Sequence, residues 1–285
     1  MLKHRVLTAA IGLPLLLVAL ITLPPLYVCI VFLASVAFSV YEIGKMLYPA
    51  FIRKFHPNST SELKYTRVWT WFCLSAACLM FSVSTMLDLS GTERGGIIAV
   101  LNLVILVGTF TGPNIDQSII RITCVLISLC YGCLPWLTIW DLYLMGEHAS
   151  YVLLLLSIVM MGDTGAYFAG KHLGKHKLAP RFSPKKTWEG VFGGLLASII
   201  GVLSINAIFD FSLGPWWLMV ILAVVGGVAG VMGDLVESSF KRFAEVKDSG
   251  TIFPGHGGFL DRVDSVLFAA PICWLILYTY KTIAA

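Results

Sequence analysis

The stretch Lys247–Ser265, KDSGTIFPGHGGFLDRVDS, places Asp261 and Asp264 three residues apart, directly after His256, Gly257 and Gly258. On a helix that spacing turns both carboxylates the same way. Glycines just ahead of a helix free the backbone to aim N–H groups at an anion, and the macrodipole favours negative charge there. Two carboxylates at the same place repel a bare phosphate. A divalent cation removes the conflict, because Mg2+ takes carboxylate oxygens on one side and phosphate oxygens on the other. Helix capping by an aspartate explains Asp261 alone, but not the whole constellation.

Three further segments hold polar groups among apolar residues. In GVMGDLVESSFKR, Asp234, Glu237, Ser238 and Lys241 stand at i, i+3, i+4 and i+7 and share one helix face, with Gly226, Gly230 and Gly233 thinning the helix beside them. That pattern suits a metal and phosphate site, or a self-satisfied ladder at a membrane boundary. In MGDTGAYFAGK, Asp163 accompanies a small-residue stripe of Gly162, Ala166 and Gly170 that lets a neighbouring helix approach closely. Asp163 either lines a substrate cavity or is hydrogen-bonded between helices. The loop KHLGKHKLAPRFSPKKTWEG carries Lys171, Lys175, Lys177, Arg181, Lys185 and Lys186. A basic loop is first of all a topology determinant and a partner for anionic headgroups. Ser183 with Lys185 and Lys186, leading into a helix N-terminus, adds a hydroxyl and two amines suited to a triphosphate.

What must position these groups is a membrane-embedded scaffold. Of the 285 residues, 58% are hydrophobic and 13% charged, with a mean hydropathy of +0.85, whereas soluble domains carry roughly 25% charge. Apolar runs of about 18 to 25 residues match a hydrocarbon core of about 30 Å. The spans expected are 5–23, 26–47, 66–89, 95–112, 118–140, 150–171, 187–209, 215–241 and 260–282, an all-α polytopic membrane protein with about nine transmembrane helices. The first has a basic flank and apolar core but no small-x-small cleavage site before Pro24 and Pro25, and reads as a retained span. Residues 1–150 read as a scaffold of about five spans. Residues 151–285 read as a catalytic region of about four spans with cytoplasmic loops.

With a cytoplasmic amino terminus, all but Arg94 and Lys281 of the 20 Lys and Arg residues fall on the inner side, as the positive-inside rule requires. No long basic tract occurs, so nucleic acid is not an expected partner. All seven cysteines lie in apolar segments, and the lone Cys130-x-x-Cys133 reads as packing. Asn58-Ser59-Thr60 falls on the cytoplasmic side and reads as loop.

The run Ser238-x-Phe240-Lys241-Arg242, four residues, Lys247-Asp248-x-Gly250, then Pro254-x-His256-Gly257-Gly258-x-x-Asp261-Arg262-x-Asp264 resembles the signature of the phosphatidate cytidylyltransferase (CDP-diacylglycerol synthase) family, in its bacterial form. GDTGAYFAGK and SPKKTWEG are also similar to family elements, so the likeness is strong over roughly 160–270 and rests on hydropathy alone before that. The resemblance implies a nine-span homodimer of the inner membrane. It implies an enzyme that joins CTP to phosphatidic acid, giving CDP-diacylglycerol and pyrophosphate with Mg2+, and it places Asp234, Asp261 and Asp264 at the metal, with room for a second cation.

On that reading Lys185, Lys186, Lys241, Arg242 and Lys247 neutralise the triphosphate and the lipid headgroup. Ser183, Asp163, Glu237, Asp248, Gly257, Gly258 and Arg262 complete the substrate site. His256 either orients Asp261 or donates to a phosphate. Two other readings stay open: a secondary transporter, which would place its charges near the midplane between inverted repeats, and a CTP-dependent polyprenol kinase. The topology is testable by labelling. Arg94→Cys should react with a membrane-impermeant maleimide in intact cells, and Lys177→Cys only after permeabilisation; the reverse pattern would invert the assignment.

Overall fold

The structure, a computed structural model, describes residues 18–55, 85, 115–209, 214–252 and 257–284. The spans expected at 95–112 and, apart from residue 85, at 66–89 lie outside these residues, as do 5–17 of the first span, the sequon and His256. Among the described residues six helical stretches are long and apolar enough to cross a membrane. The protein is therefore an all-α, multi-pass membrane protein.

Helix α1 (Pro25–Phe55) opens on a proline, whose missing N–H costs nothing at a first helical position, and ends on Arg53 and Lys54, which favour the negative end of the dipole. The span expected at 118–140 falls within one apolar stretch, Ser118–Met145, built from two helical segments, α2 (Ile115–Gly132) and α3 (Leu134–Met145). Pro135 has no N–H to continue the α-helical ladder, and the chain turns at Cys133 with a bond from the Trp136 amide to the Cys133 carbonyl (3.0 Å). Then come α4 (Ser150–Leu173), α5 (Trp188–Phe209), α6 (Trp216–Ala244) and α7 (Leu260–Ala284), each within a few residues of its expected span.

The loop between α4 and α5 is not irregular. It forms an antiparallel hairpin, β1 (Lys177–Ala179) and β2 (Ser183–Thr187), pairing Lys177 with Thr187 and Ala179 with Ser183. The five cysteines among the described residues are free thiols, Cys130 and Cys133 included.

The described residues form two compact units. One is built from the described parts of Pro24–Leu137 and Phe240–Arg262, the other from those of Leu7–Leu23, Thr138–Ser239 and Val263–Ala285, so both draw on distant parts of the chain. In the first, Tyr131 meets Phe240 edge-on and Phe51 meets Phe243, while Arg53 Nη2 donates to the Ala244 carbonyl (3.1 Å) at the end of α6. In the second, α5 is inside out by the standard of a soluble helix. Phe192, Leu196, Ile200 and Leu203 point outward, while Gly190, Gly194, Ser198 and Gly201 face the protein.

Lipid removes the usual incentive to bury large side chains, so close backbone approach and interhelical hydrogen bonds decide the packing. The stripe Gly162, Ala166 and Gly170 of α4 lies on this small face of α5. A Cβ at Gly194 would stand 2.8 Å from the Gly162 carbonyl oxygen, and Ser198 Oγ donates across to the Ile158 carbonyl (2.7 Å). A Cβ at Gly193 would collide with that of Ala169. Gly193→Leu should therefore destabilise the second unit by about 1 to 3 kcal/mol or more, seen as a lower midpoint of thermal unfolding in detergent, whereas Phe192→Leu on the outer face should leave it near wild type.

Candidate active site

Two clusters hold the polar groups that the sequence singles out, one in each unit. In the second unit a cavity of about 470 Å³ is walled by α4, β2, α5 and α6. Asp163 enters from α4, Ser183, Lys185 and Lys186 from β2, and Asp234 from α6. Lys186 Nζ pairs with Asp234 Oδ2 at 2.8 Å and donates to the Val231 carbonyl at 3.3 Å. Ser238 Oγ donates to Asp234 Oδ1 at 3.2 Å. Asp163 is near enough to feel the charges of both Asp234 and Lys186. The cavity thus presents two carboxylates and three ammonium groups, those of Lys171, Lys185 and Lys186, among walls of glycine, hydroxyl-bearing and apolar side chains.

The hairpin is what brings Lys185 and Lys186 there. Its base is clamped to α5: the Trp188 amide donates to the His176 carbonyl (2.9 Å), and the His176 amide and imidazole Nδ1 both meet the Glu189 carboxylate, the latter at 2.6 Å. Thr187 caps the helix, its hydroxyl accepting the Gly190 N–H at 3.1 Å. That N–H is therefore already engaged within the chain. Asp264, also in this unit, is buried on α7, with Oδ1 accepting the Ser265 amide at 2.7 Å. Glu237 is fully buried on α6.

In the first unit Asp261 is the hub. Lys241 Nζ lies 2.7 Å from Oδ1, while Oδ2 accepts the amides of Ser249 (3.0 Å) and Gly258 (2.8 Å) and approaches the Ser249 hydroxyl at 3.1 Å. Asp261 thus ties down amides that lie ahead of α7, and it also forms an ion pair whose two side chains are 15% and 9% exposed. Gly257 adopts φ +85°, a left-handed conformation that suits glycine, and a Cβ there would press on Asp261 Oδ2 and Asp248. Arg242, Lys247, Asp248 and Arg262 are exposed.

Sequence reasoning passed over Glu42 and Ser249. Glu42 is 1% exposed in the middle of α1, and its carboxylate accepts the Phe259 amide (3.0 Å), the Leu260 amide (2.8 Å) and the Ser249 hydroxyl (2.9 Å). The signal was available: an acidic residue inside an apolar span costs about 2.5 to 3.5 kcal/mol and calls for partners. The neighbouring Ser35 and Ser39, likewise buried, mark the same face of α1 as polar.

The sequence pattern of the cytidylyltransferase family matches residues 3–280, and the chain belongs to that family. A phosphatidate cytidylyltransferase of Staphylococcus saprophyticus is 43% identical over 152 residues, 53% of this chain and 57% of that protein. Proteins of the same name from Staphylococcus epidermidis and Staphylococcus aureus are 48% identical over 131 residues, 46% of this chain and 50% of theirs. The chain thus spans about half the length of the curated relatives it matches.

The hub in the first unit makes an asymmetric prediction. Lys241→Met leaves Asp261 its amide and hydroxyl donors, whereas Asp261→Leu withdraws the carboxylate from an ammonium and from those donors together. Asp261→Leu should cost about 3 to 5 kcal/mol and Lys241→Met clearly less, ranked by thermal unfolding in detergent micelles; equal losses would contradict the hub.

Proposed function

We propose that the chain transfers the cytidylyl group of CTP to phosphatidic acid, releasing pyrophosphate and leaving CDP-diacylglycerol in the membrane, with Mg2+ as cofactor. The observation that carries this reading is the cavity of the second unit, where Asp163, Asp234, Lys185 and Lys186 gather between helices whose outer faces are apolar. Such a place offers charge to two phosphate compounds while staying next to lipid. The names of the staphylococcal relatives and the signature around Lys241 and Asp261 support the same reaction.

The donor set suits the cation. Carboxylate oxygens are hard ligands, and Mg2+ is usually held by one or two carboxylates together with substrate phosphates. No three His, Cys, Asp or Glu side chains form a ready cage among the described residues, so a site completed by substrate is the form to expect. Of the three aspartates implied by the family resemblance, Asp234 shares its cavity with a second carboxylate, Asp163, and that pair is proposed to hold Mg2+. When bound, the cation neutralises charge on the phosphates being joined and released.

The remaining work falls to the chain's own side chains. Lys186, fixed by Asp234 and the Val231 carbonyl, presents its ammonium at a defined point, and Lys185 and Ser183 flank it on the same strand. A phosphate monoester has its second pKa at about 6 and is largely dianionic near neutrality, so its oxygen needs no strong general base. That oxygen forms the new bond to the α-phosphorus of CTP as the bond to the bridging oxygen breaks, and the electron pair leaves with pyrophosphate. Positioning and charge neutralisation supply the rate enhancement. An active site on the cytoplasmic side of the inner membrane, and assembly as a homodimer, belong to the same proposal.

The test supplies purified protein with CTP labelled at the α-phosphate and with phosphatidic acid, with and without Mg2+. Label in CDP-diacylglycerol together with free pyrophosphate is expected, dependent on Mg2+ and at least 100-fold lower in Asp234→Asn. Release of CDP instead would identify a kinase and reject the proposal.

A further inference from the structure

The glycines of the signature at Gly250 and Gly258 are small because a carboxylate from a distant helix occupies the space beside them. A Cβ at Gly250 would run into the Glu42 carboxylate, and one at Gly258 would run into the Ser249 hydroxyl and Glu42 Oε2. Both oxygens of Glu42 accept backbone N–H groups at the start of α7, Oε1 from Phe259 and Oε2 from Leu260. The Ser249 hydroxyl lies between two carboxylates, 2.9 Å from Glu42 Oε2 and 3.1 Å from Asp261 Oδ2. Its single proton can serve one of them at a time. A chain of contacts therefore runs from Glu42 through Ser249 to Asp261, and from Asp261 to Lys241.

From this arrangement we infer that Glu42 is a positioning residue: a buried carboxylate on α1 that sets the first turn of α7 and, through Ser249, the orientation of the Asp261 and Lys241 pair. Glutamine cannot replace it. Whichever way a carboxamide is turned, its NH2 group faces one of the two backbone N–H donors, so a side chain of nearly equal volume loses one bond and gains a repulsion. A shorter aspartate retains two acceptor oxygens. The kinetic part of this inference rests on the proposed cytidylyl transfer; the structural part does not.

The experiment compares wild type, Glu42→Gln and Glu42→Asp, purified in lipid nanodiscs, by amide hydrogen exchange and by steady-state formation of CDP-diacylglycerol. Glu42→Gln is expected to speed exchange at Phe259 and Leu260 at least tenfold while the second half of α7 keeps wild-type protection. It should lower kcat at least tenfold, with the KM for CTP within about twofold of wild type, and Glu42→Asp should recover part of both effects. Should Glu42→Gln not accumulate in folded form, Glu42→Asp carries the test, with intermediate values expected. Wild-type exchange and kcat in the variant studied would overturn the inference, and so would a loss of protection spread evenly over every helix. A wild-type protein without turnover, whose Glu42→Gln variant still loosens only the start of α7, would reject the reaction and support the positioning role.

Discussion

A carboxylate placed among apolar helices has to be met by donors, and this requirement organises both clusters of the protein. Water is scarce inside packed helices, so each acidic side chain draws ammonium groups, hydroxyls or backbone N–H groups toward it. Asp234 is met by Lys186, the Val231 carbonyl shares that ammonium, and Ser238 approaches from the following turn. Asp261 and Glu42 between them gather the ends of three chain segments: the close of α6, the stretch at Ser249 and the opening of α7. Geometry suitable for phosphate chemistry is then a by-product of satisfying the acids. The same oxygens that organise the backbone are hard donors, and the same lysines that neutralise them can neutralise a phosphate.

The packing that makes room for these groups relies on absence of side chain. Around the cavity, α4 and α5 approach through glycine, alanine and serine, which allows Asp163 and the β2 lysines to face one another across a narrow space. Large side chains are sent outward to lipid, where they cost nothing in solvation. The hairpin extends this economy into the aqueous loop. Two short strands, closed by the Thr187 cap and the pairing of His176 with Glu189, turn a flexible basic segment into a fixed presentation of Lys185 and Lys186.

Much of this was readable from residues alone. Hydropathy places α4 to α7 within a few residues, because a span is a long, strong, one-dimensional signal. The small-residue stripe of α4 and the i, i+3, i+4, i+7 face of α6 follow from helical periodicity, which is local. What escaped was either short or long-range. The strands β1 and β2, of three and five residues, carry too few positions to show alternation and are mostly polar. The break at Cys133 depended on a single proline two residues later. Glu42 and Ser249 lie 207 residues apart in sequence, and nothing in either segment alone says that they meet. The isolated acid in an apolar run demanded a partner without naming it. His256 and the third and fourth spans fall outside the described residues.

Helix α6 has 29 residues and, at 1.5 Å each, is about 43 Å long, well over the roughly 30 Å of a hydrocarbon core. Its first residues are Trp216 and Trp217, a pair of the kind that settles at one water interface. Measured from there, Asp234 stands about 27 Å along the axis, and Lys241 and Arg242 lie about 10 Å beyond it. The helix therefore overhangs the far leaflet by two or three turns. With the tryptophan pair at one interface, Asp234 would come near the opposite edge of the hydrocarbon core, since about 27 Å is close to its thickness. In the proposed reaction, a lipid phosphate would meet Asp234 and its Lys186 partner near its own level, without being drawn deep into the bilayer.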